Sequence, residues 1–66
     1  MQVLANGGPV ELPEGATVQD LLHLLNLGKK WVLVERNGEP VRRADIPATV
    51  LTDGDRLELV RAVAGG

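Results

Sequence analysis

The chain has no cysteine, no phenylalanine and no tyrosine, and among its 66 residues only one tryptophan, one histidine and one methionine. Each shortage excludes something. Without cysteine there is no disulfide, no thiolate nucleophile and no thiolate metal site, so any sulfur the protein handles comes from outside it. With Trp31 its only aromatic, and seven basic residues against nine acidic, the chain lacks the basic stripe and stacking rings of a nucleic-acid binder. No apolar run approaches the roughly 20 residues that span a bilayer, and the start has neither the charged nor the apolar region of a signal peptide. A cytoplasmic protein with no membrane partner is expected. His23 has no second histidine or cysteine to work with, which favours a solvated side chain over a base or a metal ligand. The phosphate-cradling G-x-x-x-x-G-K-[ST] loop and the G-x-G-x-x-G turn are missing too, so the chain is expected to be no enzyme and to bind no cofactor or metal of its own.

What the chain does have is aliphatic. Val, Leu and the single Ile make up 21 of the 66 residues, too apolar for disorder. At this length burial barely offsets an ordering entropy of about 1.5 kcal/mol per residue, which leaves room for one compact domain over residues 1–66 and no second lobe.

Met1 to Ala5 reads as a strand, Asn6-Gly7-Gly8-Pro9 as a turn, and Val10-Glu11-Leu12 as the return arm of a hairpin. Thr17, three residues before Asp20, caps a helix whose apolar stripe is Val18, Leu21, Leu22 and Leu25, with Asn26-Leu27-Gly28 as its stop. Lys29-Lys30 follows; positive charge suits a helix C-terminus, and an acidic partner is the alternative. Trp31 to Arg36 is the strongest strand run, and Asn37-Gly38 turns it into an arm whose Pro40 belongs on a sheet edge. Residues 42–47 read as an irregular connection, with Arg42-Arg43 as solvated surface or, alternatively, a contact for a phosphate or acidic partner. Asp53-Gly54-Asp55 is a tight turn opening a last strand, Arg56 to Val60. There Leu57 and Leu59 face inward, Glu58 and Val60 face outward, and the chain leaves the core near Arg61. The pattern is α+β, one helix on one face of a small mixed sheet, a β-grasp arrangement with the last strand central.

From that strand Val63-Ala64-Gly65-Gly66 projects. Two successive glycines have no Cβ, so they can extend through a narrow slot in a partner and leave the terminal carboxylate open to attack from either face. Residues 62–66 are therefore expected to form a flexible tail. Gly66 is its reactive end, and Gly65 and Ala64 are the part that threads. Val60, Glu58 and Ala62 are expected to form the docking spot at its root, because an enzyme that threads the tail needs a grip close by.

Three stretches together carry a family resemblance: M-Q-V-L-A-N-G at the start, R-N-G-E-P-V-R-R, and L-T-D-G-D-R-L-E-L-V-R-A-V-A-G-G at the end. The chain resembles the ThiS sulfur carriers of thiamin biosynthesis, ubiquitin-like β-grasp proteins ending in Gly-Gly. It departs from them at Arg42, where the family often has proline. The resemblance implies that an E1-like adenylyltransferase, using ATP and magnesium, adenylates Gly66. A persulfide donor then supplies sulfur, and thiazole synthase takes up the resulting thiocarboxylate. A carboxylate is a poor electrophile until activated, which makes such a scheme chemically reasonable. The same fold and tail also suit a sulfur carrier for molybdopterin synthesis or tRNA thiolation, or a ubiquitin-like protein modifier. A β-grasp binding module whose Gly-Gly has no chemistry is the alternative of another class.

Overall fold

The computed structural model describes residues 1–28 and 32–61. Among them the elements run β1 (Gln2–Ala5), β2 (Gly8–Glu11), α1 (Val18–Leu24), β3 (Val32–Arg36), β4 (Glu39–Val41) and β5 (Arg56–Arg61), with a single 3-10 turn at Arg43–Asp45. The sheet order is β2-β1-β5-β3-β4. Its central pair, β1 and β5, is parallel, and the other neighbours are antiparallel. This is the expected β-grasp, with β5 in the middle.

Local chemistry accounts for α1. The Thr17 hydroxyl accepts from the Asp20 amide at 3.2 Å while the Asp20 carboxylate accepts from the Thr17 amide at 2.9 Å, a reciprocal capping box. Val18, Leu21 and Leu22 are buried beneath the helix. Leu25 departs from the expected stripe and is 36% exposed. The helix ends at Leu24, the i+7 position is already its C-cap with a non-helical backbone (φ −85°, ψ 2°), and Asn26 then turns the chain with a left-handed φ of 60°. Leu27, whose amide donates to the Leu22 carbonyl at 2.7 Å, packs against the core instead.

One sheet face and α1 enclose a core that includes Val3, Val32, Val34, Ile46, Leu51, Leu57 and Leu59. Leu22 is 1% exposed there. Leu22→Ala is expected to cost roughly 2–5 kcal/mol in chemical denaturation, a large share of what so small a core supplies. A loss well under 1 kcal/mol would contradict this placement of the helix face.

Three boundaries differ from the sequence reading. The first hairpin turns on Asn6-Gly7 alone, because Ala5 pairs with Gly8, so Pro9 lies inside β2. Residues 43–45 wind into a 3-10 turn rather than an irregular path. β5 runs through Arg61, which pairs with Val32 and stays exposed, so the ladder continues one residue beyond Val60 without burying the charge. Arg42, the departure from the family pattern, keeps an extended backbone after β4. The two edge strands each contain a proline, Pro9 and Pro40, and a proline cannot donate to a neighbouring chain. Trp31, Lys29 and Lys30 lie outside the described residues.

Candidate functional site

The C-terminal strand is fixed along its length before the tail begins. On one side Asn6, held at φ 51° by the hairpin turn, grips its backbone. The Asn6 amide donates to the Leu57 carbonyl at 2.9 Å, its side-chain NH2 donates to the Leu59 carbonyl at 3.1 Å, and its side-chain oxygen accepts from the Leu59 amide at 2.8 Å. On the other side β3 pairs with β5 from Arg36↔Leu57 to Val32↔Arg61. Asparagine suits the task because its short amide tolerates the left-handed region and satisfies a donor and an acceptor at once.

The start of β5 is anchored by Asp55, which is 5% exposed and, among the described residues, is the buried charged one. The Arg36 guanidinium reaches one carboxylate oxygen through Nε and Nη2, both at 2.9 Å, and the Thr52 amide donates to the same oxygen at 2.8 Å. The other oxygen accepts from the Asn37 side chain at 3.0 Å and the Thr52 hydroxyl at 3.1 Å. Burial pushes this carboxyl up, but the Thr52 amide, the Asn37 and Arg36 side chains and the Thr52 hydroxyl outweigh it and hold the group below its ordinary value. Asn37 also accepts from the Arg56 amide at 2.9 Å, which ties the β3–β4 turn to the first residue of β5. Asp53 has a further task in the same D-G-D turn, its carboxylate accepting from the Gln2 amide at 2.8 Å. Gly54, with φ 86°, adopts the left-handed conformation that lets the two aspartates face different partners.

The face of the sheet turned away from α1 carries two of the expected docking residues. Val60 is 57% exposed and Glu58 is exposed. Val60 is not alone. It pairs with Leu33, itself 59% exposed, so two apolar side chains stand opposite each other next to the tail root. One row further from the tail, Glu58 pairs with Glu35. The sequence reading missed Leu33 and Glu35. Val32-Leu33-Val34 is apolar throughout, and only the period of two shared with exposed Glu35 separates Leu33 from its buried neighbours. Ala62, Ala64, Gly65 and Gly66 lie outside the described residues, as does the expected flexible tail. His23 is exposed on α1, as its solvated reading requires.

Comparison with known proteins gives consistent matches. A family model described as the ThiS family matches residues 3–66. A Bacillus subtilis protein named sulfur carrier protein ThiS is 42% identical over 50 residues, covering 76% of each chain. A thiazole synthase of Magnetococcus marinus is 36% identical over 66 residues, all of this chain and 20% of that one. The chain therefore spans about a fifth of the length of such thiazole synthases. The crystal structure of a thiamine biosynthesis protein, ThiS, from Geobacter metallireducens superposes with a TM-score of 0.83 at 35% identity, covering 100% of both chains. An NMR structure of a thiamine biosynthesis protein from the same organism gives 0.79 at 36% identity, covering 100% of this chain and 88% of that one.

Proposed function

Because the chain belongs to the ThiS family, we propose that it is a sulfur carrier of thiamin biosynthesis whose working atom is the terminal carbonyl of Gly66. The observation that carries this reading is a β5 strand clamped on both sides and followed in the sequence by A-V-A-G-G. A rigid root lets a docked enzyme find the end of a short tail with little search entropy.

In this reading the chain is a cosubstrate and its partners supply the catalysis. An E1-like adenylyltransferase holds ATP and magnesium, and a Gly66 carboxylate oxygen attacks the α-phosphate. Pyrophosphate leaves and a mixed acyl-phosphate anhydride forms, which makes the carbonyl carbon electrophilic. The terminal sulfur of a persulfide donor attacks that carbon and AMP leaves. A thiol then cleaves the resulting acyl disulfide, becoming oxidised, and a thiocarboxylate remains on Gly66. Thiazole synthase is the proposed acceptor. The full-length match of this chain to a fifth of two thiazole synthases supports a carrier that works beside that enzyme.

Docking is proposed at Val60, Glu58 and Ala62. With purified adenylyltransferase, magnesium and ATP, the chain is expected to release pyrophosphate in amounts equal to its own, and no release with an enzyme active on another carrier would sink the reading. In the same assay Val60→Asp is expected to raise the dissociation constant roughly tenfold while leaving the denaturation midpoint close to the parent's, because no core contact is lost. Parent-like affinity would remove Val60 from the docking surface.

A further inference from the structure

The open face presents two bands, and they call for different chemistry in whatever covers them. Nearest the tail, Leu33 and Val60 form the exposed apolar pair. Behind it, Glu35 and Glu58 are direct cross-strand partners, both exposed, and among the described residues neither side chain makes an ion pair or a hydrogen bond. Carboxylates directly opposite each other on an antiparallel pair repel, so this arrangement works against the stability of the free protein. Arg56 shares their face two residues before Glu58 and forms no ion pair with either. Arg36 is committed to Asp55.

We infer that the partner surface covering this face combines an apolar contact for Leu33 and Val60 with a basic side chain seated between Glu35 and Glu58. The inference rests on the carrier reading and adds Leu33 and Glu35 to it as determinants of partner choice. An apolar pair alone gives contact area with little discrimination between enzymes. A carboxylate pair one row behind fixes where a guanidinium or ammonium must sit, and it repels an acidic surface. A planar guanidinium fits best, since it can donate to both carboxylates through separate N–H groups. The repulsion in the free protein is relieved on docking, so the same two residues oppose folding and favour the complex.

The double variant Glu35→Gln/Glu58→Gln separates these effects by sign. It keeps the shape of both side chains and removes their charge. Its denaturation midpoint is expected to equal or exceed the parent's, while its affinity for the adenylyltransferase falls about five- to tenfold at low ionic strength. The gap between parent and variant is expected to close as salt is raised. Leu33→Ser should also weaken binding, with a loss that salt leaves unchanged. Unaltered affinity of the double variant at low salt, with parent and variant both adenylated, would overturn this inference and leave the carrier reading intact. Absence of adenylation in the parent would instead overturn the carrier reading, and this inference with it. A midpoint below the parent's would show that the glutamates stabilise the free fold, which also contradicts it.

Discussion

Gly65→Val is expected to bind the adenylating enzyme as tightly as the parent and to be adenylated about a hundredfold more slowly, or worse. The division follows from where the two events take place. In the proposed reading docking uses the exposed side chains on the sheet at and behind Val60, and none of these is altered. Adenylation, in the same reading, requires the last residues to pass through a slot narrow enough to exclude water and to bring a carboxylate oxygen onto the α-phosphate. A branched side chain one residue from the carboxylate widens the tail where the slot is closest, and it removes backbone conformations open only to glycine. A misplacement of about an ångström at the reacting atom is enough for a loss of this size. Separate measurements of binding and of the single-turnover rate decide it. A normal rate would remove the threading role from Gly65, and lost binding would show that the tail itself contributes to docking.

A second large effect, on the fold and on its pH dependence, is expected at Asp55. Asp55→Ala leaves the Arg36 guanidinium, the Asn37 side chain and the Thr52 amide without the acceptor that joins them. Because Arg36 keeps 30% of its side-chain surface, water recovers part of the loss. The cost is expected to be about 2–4 kcal/mol in denaturant unfolding, somewhat below that of a fully buried pair. Asp55→Asn keeps the volume but turns one acceptor oxygen into a donor, so it should recover only a fraction. The folded carboxyl titrates below its ordinary value of 3.8. Its contribution is therefore fully present above that pH and is lost as the pH falls through the lower, folded value. The parent should lose stability on acidification through that window, and Asp55→Ala should lose less there. Parallel stability–pH curves would show that another carboxylate governs acid unfolding.

The same residues explain why some of the fold could be read from the chain and some could not. The α1 cap, the Asn37-Gly38 turn, Pro40 on an edge and the inward pair Leu57 and Leu59 are specified by neighbours within a few residues, and each stands where local chemistry places it. Leu25 misled because periodicity alone cannot tell where a helix stops: the helix ends at Leu24, Leu25 is its C-cap, and the left-handed Asn26 follows. The second tasks of Asn6 and Asn37 were hidden as well. Asn-Gly announces a turn, but the grip of Asn6 on Leu59 spans 53 positions of sequence and that of Asn37 on Arg56 spans 19. The D-G-D stretch served as a marker of resemblance, yet its content is physical: one aspartate caps β1 and the other joins three segments through a buried carboxylate. The exposed face proposed for docking was half legible. Val60 stood out because the β5 alternation is unambiguous, whereas Leu33 and Glu35 join it only through the β3–β5 register, a long-range pairing that no local pattern encodes.

The central claim is that Gly66 carries sulfur, and the mass of the intact chain tests it most directly. After incubation with its adenylyltransferase, magnesium, ATP, a persulfide donor and a thiol, the protein is expected to gain about 16 mass units, one oxygen exchanged for sulfur at a carboxylate that needed activation, with fragmentation placing the change on Gly66. An unchanged mass, with the enzyme active on another carrier, would contradict it.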